Sequence, residues 1–156
     1  MFNSAACEYA IRALTHIALR GAPGDYFLLR SIAREEKLPP YFMSKVFQAL
    51  VRAGILESAK GRGGGFALQR PAAKILLRDI VRAVERDDRT EQCPLGMPTC
   101  DDQQPCAAHE LWKTPQEHLR RFLAETTLAD LAAALRAKRA QLGLEGPHRR
   151  GRPHSE

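Results

Sequence analysis

Apolar residues recur at helical spacing through most of the chain, alternate briefly near its middle, and thin out in two stretches. Ala6, Tyr9, Ala10, Ala13, Leu14, Ile17 and Ala18 fall on one stripe and predict an amphipathic helix from about Ser4 to Arg20. Ser4 suits its N-cap, and Gly21-Ala-Pro-Gly24 supplies the stop. Cys7 falls inside this helix and reads as a small buried hydrophobe. Leu29, Ile32 and Ala33 mark a second helix between Leu28 and Glu36. After Leu38-Pro39-Pro40 a third helix begins at Pro40 or Tyr41 and runs to Ala53, stopped by Gly54. Its Met43, Val46, Phe47 and Leu50 face a core, whereas Tyr41, Ser44, Lys45, Gln48 and Arg52 form the opposite, polar face. Two short helices joined by a tight turn, the second with a polar face, make a helix-turn-helix, a pattern shared with other small helical hairpins.

The pattern then changes period. Ile55 to Lys60 and Phe66 to Arg70 read as strands around the turn Gly61-Arg-Gly-Gly-Gly65, a β-hairpin with Lys60 and Arg62 at its tip. A nucleotide-cradling loop would need Gly-Lys-Ser/Thr opening a helix. Here Gly65 opens Phe-Ala-Leu, so that function is excluded. A hairpin beside a helix-turn-helix is a wing, and an arginine at its tip suits a narrow minor groove. Helical spacing returns from Ile75 to Arg86 with Leu76, Leu77, Ile80, Val81 and Val84. It returns again from Ala107 to about Ala124, where Leu111, Trp112, Leu119, Phe122 and Leu123 share one side and Pro115 should kink the helix. Such an exposed apolar helix is expected to be covered by a second subunit. Thr126 or Thr127 caps a last short helix, Leu128 to Leu135, and the arginine-rich stretch from Gly143 on is expected to be disordered.

Between the last two long helical patterns lies Cys93-Pro-Leu-Gly-Met-Pro-Thr-Cys100-Asp-Asp-Gln-Gln-Pro-Cys106-Ala-Ala-His109. Three of the four cysteines fall within fourteen positions, among three prolines and a glycine that exclude regular structure. A segment that concentrates thiols without packing periodicity points to a metal centre, because sulfur ligands select zinc, copper or iron–sulfur clusters. The formal charge of +6 lies in the first part of the chain: residues 1–90 hold 15 Lys/Arg against 9 Asp/Glu, and the remainder balances. That excess suits a polyanionic partner. No apolar run approaches the roughly 20 residues of a membrane helix. Met1-Phe-Asn-Ser-Ala-Ala-Cys-Glu8 lacks the features of a signal peptide, so a cytoplasmic location with reduced thiols is expected.

Tyr9-Ala-Ile-Arg-Ala-Leu14, Gly61-Arg-Gly-Gly-Gly-Phe-Ala-Leu68, the cysteine triplet, His109-Glu-Leu-Trp112 and Thr127-Leu-Ala-Asp-Leu131 occur in that order. In these pieces the chain resembles the IscR/NsrR family of bacterial winged-helix transcription regulators, over nearly everything from Tyr9 to Leu131. The resemblance implies a homodimer on double-stranded promoter DNA, with the third helix in the major groove and the wing alongside. Carried over by position, it assigns Tyr41, Phe42, Ser44 and Lys45 to base reading and Lys60 and Arg62 to the wing. Phe42 is open to two readings, a thymine-methyl contact or a core residue.

The resemblance further implies that Cys93, Cys100 and Cys106 hold an iron–sulfur cluster. For the fourth ligand it offers His109, which we favour, and Glu8, where some relatives supply a first-helix carboxylate from the partner subunit. Histidine ligation suits a 2Fe–2S cluster, although three-cysteine relatives also hold 4Fe–4S.

The expected fold is mainly α: a winged helix-turn-helix with a two-stranded β wing, a cysteine loop and a long C-terminal dimerisation helix. The expected segments are a DNA-binding domain over 1–90, a cluster loop over 91–108, a dimerisation helix and short terminal helix over 109–140, and a basic tail over 141–156. The expected function is promoter binding controlled by a cluster that senses nitric oxide, redox state or iron supply. The alternatives are a zinc site or thiol switch in the same loop, and an electron carrier or redox enzyme. No nucleophile–base constellation favours the enzyme.

Overall fold

A computed structural model of the chain describes residues 4–22, 24–85, 93, 95–96 and 102–144. The expected disorder of the basic tail and the placement of Cys100 lie outside the described residues.

Helix α1 (Ala5–Arg20) is the hub. Cys7, Ala10, Ala13, Leu14 and Ile17 are sealed from solvent, and α2 (Leu29–Glu35), α3 (Pro40–Arg52), α4 (Leu77–Val84) and α6 (Leu128–Gln141) all pack on α1. Alanines at two of these inward positions let neighbouring helices approach closely. Ser4 caps α1 as expected, its Oγ accepting from the Cys7 N–H at 3.2 Å.

The turn from α2 into α3 is built from backbone hydrogen bonds. The N–H of Leu38 donates to Ala33 O at 2.8 Å and that of Lys37 to Arg34 O at 3.3 Å, the two bonds of a Schellman ending. Leu38 is thereby tucked into the core, 4% exposed. Lys37 takes the left-handed backbone, φ 53°, where glycine is the usual residue. Pro39 and Pro40 then start α3, Pro40 standing at a position whose N–H has no helical partner anyway.

β1 (Leu56–Ala59) and β2 (Gly65–Leu68) pair antiparallel, with Leu56 opposite Leu68 and Ala59 opposite Gly65. Both strands are shorter than the hydrophobic pattern suggested. A further segment joins them: Phe27 exchanges both backbone hydrogen bonds with Phe66, each at 2.9 Å. That pairing explains Gly65, whose φ is +146° and where a Cβ would sit 2.5 Å from Phe27 O. The root of the wing is fixed to the core by Phe66, stacked on the fully buried Phe47 with ring centroids 4.8 Å apart.

A short 3-10 turn, Ala72–Lys74, precedes α4 and had no signal in the hydrophobic pattern. Helix α5 (His109–Glu125) runs unbroken through Pro115, so the expected kink is not a break. Its five apolar residues do not share one environment. Leu123 is buried and Trp112 and Leu119 are half-buried, whereas Leu111 is 82% and Phe122 48% exposed. The terminal helix is corrected as well: α6 is 14 residues long, not short, and packs on α1. Ala, Leu, Arg and Lys all sustain a helix past Leu135. Gly143, at φ 65°, ends it.

Thr127, rather than Thr126, caps α6: its Oγ accepts from the Asp130 N–H at 3.1 Å, and Asp130 accepts from the Thr127 N–H at 2.8 Å. The corner between α5 and α6 is also tied to the start of α4. Leu77 N–H donates to Thr126 O at 3.0 Å, and Leu128 N–H to Ile75 O at 2.8 Å.

Phe47 joins α3 to the wing, so Phe47→Ala removes both a filled core volume and the stack. Denaturant unfolding should show a loss of about 3–5 kcal/mol. A loss below about 1 kcal/mol would mean that the wing is not fastened through this ring.

Candidate metal centre and nucleic-acid interface

The polar face of α3 stands in solvent, with Tyr41, Ser44, Lys45, Gln48 and Arg52 all exposed. Tyr41 is 81% exposed, and Lys45 Nζ lies 5.5 Å from its ring centroid. At an exposed site that cation–π contact is worth about 0.5–1 kcal/mol, weak enough for a phosphate or base to replace. Ser44 Oγ donates to Pro40 O at 3.3 Å. Phe42 combines the two readings open to it: its ring meets Tyr9 edge-on at 5.7 Å, yet it remains 37% exposed. Lys60 and Arg62 are exposed at the turn between β1 and β2.

What aims this face is a polar row along α1 that the hydrophobic pattern did not reveal. Glu8, Arg12, His16 and Arg20 are four residues apart, so they lie along one side of the helix. Arg12 pairs with Glu8 at 3.1 Å and donates to the backbone carbonyl of Glu36 at the α2–α3 turn. His16, only 4% exposed, meets the Glu36 carboxylate at 2.7 Å through Nδ1, and Arg20 pairs with Glu35. Burial pulls the His16 imidazole below its ordinary value, opposed by the hydrogen bond it donates to Glu36 and reinforced by Arg20.

Of the second set of candidates, Cys93 and Cys106 meet each other, and His109 opens α5 three residues after Cys106. Cys93 is 5% exposed, Cys106 is half-buried, and their sulfurs are 3.3 Å apart. That is far longer than a disulfide bond of about 2.0 Å. It is about 0.5 Å shorter than the roughly 3.8 Å separating two thiolates on one tetrahedral metal with bonds of about 2.3 Å, so the sulfurs need part only slightly to share one metal. His109 N–H donates to Cys106 O at 3.0 Å, so the turn that carries the cysteine also starts the helix, and the His109 side chain is buried. Its Nε2 lies 2.8 Å from Asp102 Oδ1, and Lys113 Nζ donates to the same oxygen at 2.7 Å. Lys113, then His109, hold the Asp102 carboxyl below the usual carboxylate range.

One turn on from His109, the buried Trp112 Nε1 has no hydrogen-bond partner among the described residues. A buried N–H donor on the face that bears His109 fits an acceptor such as sulfide or thiolate. Two adjacent thiols, an imidazole and this donor are chemically suited to an iron–sulfur group. Among the described residues, no three His, Cys, Asp or Glu side chains are grouped to hold a metal ion, and Cys100 is not one of those residues.

Glu8 is not gathered with these groups. Its carboxylate is half-exposed and paired with Arg12. One turn earlier, Ser4 donates to Glu85 at the end of α4, which places the start of α1 beside the chain's entry into the cysteine segment. Cys7 lies apart in the core, its thiol pushed up to about 11 by burial and by Glu85, which keeps it protonated and inert. Asp102, the Trp112 N–H and the His16–Glu36 pair escaped sequence reasoning. Only the helical i, i+4 row of charges on α1 offered a signal.

A family model described as Rrf2, iron-dependent transcriptional regulator, matches residues 3–134. An HTH-type transcriptional regulator of Haemophilus influenzae is 32% identical over 132 residues, covering 85% of this chain and 87% of that protein. The HTH-type transcriptional regulator IscR of Xenorhabdus nematophila is 28% identical over 124 residues, covering 80% and 74%. Among solved structures, CymR, the global cysteine regulator of B. subtilis, superposes with a TM-score of 0.72 at 25% identity, covering 85% of this chain and 96% of that one.

The buried imidazole behind α3 gives a pH signature. Because folding lowers the His16 pKa, the unfolded chain binds the extra proton first. This contribution to stability is complete above about pH 6.5 and is lost as the pH falls toward the folded-state value. Thermal melts of His16→Gln should therefore show a flatter decline below about pH 6.5 than the unsubstituted protein. An identical slope would remove His16 as the titrating group.

Proposed function

The chain belongs to the Rrf2 family of transcriptional regulators, and from that premise we propose that it is a homodimeric promoter-binding protein controlled by an iron–sulfur cluster. It is a winged-helix DNA-binding regulator and not an enzyme. What carries the finer reading is the approach of the Cys93 and Cys106 sulfurs to 3.3 Å, with the buried His109 one turn away on the same turn-and-helix unit. Cys93, Cys100 and Cys106 would supply thiolates and His109 the fourth ligand, with Glu8 of a second subunit as its competitor. Such a cluster supplies iron that reacts with nitric oxide or oxygen and that is lost when iron is scarce.

The chain's own residues do the rest. Holding Cys93 to Cys106 and His109 fixes the path between α4 and α5, and with it the placement of α5. The exposed Leu111, Pro115 and Phe122 are spaced along one side of α5, the side suited to a second copy of the chain. In such a dimer the two α3 helices must reach major grooves about 34 Å apart, so the geometry of α5 sets the spacing of the reading heads. Freeing the thiols lets the conformers redistribute. Tyr41, Phe42, Ser44 and Lys45 would then read base edges or phosphates, and Lys60 and Arg62 would lie against the backbone or minor groove. The positive excess of residues 1–90 supports this partner.

A second reading is a thiol switch. Two thiols 3.3 Å apart are close enough to join with little movement on oxidation, and a structural relative, CymR of Staphylococcus aureus, has been solved in an oxidized form.

Protein purified without oxygen from iron-replete cells should contain iron and acid-labile sulfide and absorb visible light. Cys106→Ser should abolish that absorbance and change promoter affinity by about tenfold. Iron-free protein with wild-type promoter affinity would overturn the cluster reading. Loss of binding on oxidation, reversed by dithiothreitol in that iron-free protein, would establish the thiol switch in its place. For the interface, Lys45→Ala should lower the salt dependence of binding by about one phosphate contact if it pairs with the backbone. Arg62→Ala should weaken binding by about 1–3 kcal/mol if it reads the groove.

A further inference from the structure

The histidine proposed as the fourth ligand is not alone at the rim of the site. Asp102 comes from the loop before α5 and reaches the outward nitrogen of the ring, Nε2, at 2.8 Å. Its position is itself pinned, since Lys113, one turn further along α5, donates to the same Oδ1 at 2.7 Å. The His109 side chain is 6% exposed and the Asp102 side chain 70%, so the carboxylate sits at the surface and the imidazole behind it. A half-open cleft of about 290 Å³ lies here, lined by Asp102, His109, Lys113, Gln116, Glu117 and Arg120.

The geometry points to Asp102 as the positioning residue that fixes the His109 tautomer and so selects Nδ1 as the nitrogen offered to the cluster. The inference rests on His109 being a ligand. A carboxylate has no proton to give, so the shared hydrogen must come from Nε2–H. A neutral imidazole that carries its proton on Nε2 presents its lone pair on Nδ1. Metal-bound histidines usually hand their other N–H to a carboxylate, carbonyl or water, which orients the ring and makes it a better donor. Lys113 completes the arrangement by holding the acceptor oxygen in place from the solvent side. Asp102 touches no iron in this arrangement and acts only through the ring.

The experiment compares wild type with Asp102→Ala, Asp102→Asn and His109→Ala. Because the Asp102 side chain is 70% exposed and its contacts with His109 and Lys113 lie at the surface end of the ring, its variants should melt close to wild type. In the metal-free protein, ¹⁵N NMR of the histidine ring should show Nε2–H in wild type and in Asp102→Asn, whose amide oxygen can still accept. A mixture of both tautomers is expected in Asp102→Ala. After anaerobic reconstitution with ferrous iron and sulfide, Asp102→Ala should release its cluster to a chelator about 10-fold faster than wild type. The ¹⁵N-histidine coupling in its pulsed EPR spectrum should change, and Asp102→Asn should stay close to wild type on both measures.

Wild-type tautomer, coupling and release rate in Asp102→Ala would overturn the inference while leaving the histidine ligand intact. So would an Asp102→Asn as impaired as Asp102→Ala, since charge and not hydrogen-bond acceptance would then be the cause. A reconstituted wild-type spectrum that His109→Ala leaves unchanged would overturn the ligand reading itself, and this inference with it.

Discussion

Burial of α1 on nearly all sides is the constraint from which the rest follows. A helix enclosed by four others must present small or close-fitting residues inward, and Cys7, Ala10, Ala13, Leu14 and Ile17 do so. Of the polar row on α1, three groups are committed to partners at the reading head: Arg12 to the Glu36 carbonyl, His16 to the Glu36 carboxylate, Arg20 to Glu35. A buried polar group costs stability unless it is bonded. The row on α1 therefore both tolerates its own burial and fixes the α2–α3 turn. That turn is the joint on which the solvent face of α3 is aimed, and Lys37 in a left-handed conformation shows that the backbone there is determined by its surroundings.

Much of this was readable from hydrophobic period. Met43, Val46, Phe47 and Leu50 repeat every three or four residues, and all four are buried in α3. The wing was legible for a different reason, because Gly61-Arg-Gly-Gly-Gly65 can only turn. The Phe27–Phe66 pairing was not legible, since a single bridge has no period to detect. Nor was the length of α6, where apolar spacing fades after Leu135 and propensity alone carries the helix to Gln141. On α5 the apolar residues were found but their facing was not. Leu111 and Phe122 turn outward while Leu123 turns inward, a division fixed by what lies beside the helix and not by its sequence.

The candidate centre divides the same way. Thiols and an imidazole crowded among prolines announce themselves, because no packing argument accounts for them. Asp102 does not, since it is one of several acidic and polar residues in the loop. Its significance appears only when the chain turns through Cys106 and brings Asp102 back against His109, seven residues later. Trp112 read as an apolar residue on a helix stripe, and its burial leaves the indole N–H without an acceptor among the described residues. In both cases the information lies in the turn geometry between residues 102 and 109.

These observations meet on α5. One face carries His109, Trp112 and Gln116 at its N-terminal end and Leu123 further along, all turned toward the protein. The other carries Leu111 and Phe122 into solvent. Covering a side chain of that kind contributes about 1.5–3 kcal/mol, so in the proposed dimer the outer stripe would give the second subunit a substantial grip on the helix. Among the described residues, the inner end meets Cys106 and Asp102 through the short turn between them. A helix gripped by a second subunit on one face and bonded through polar contacts at its inner N-terminal end would shift at that end when those contacts change. In the proposed dimer the first turn of α5 is therefore where ligation chemistry has the greatest leverage over the placement of two reading helices, and the packed core around α1 is where it has the least.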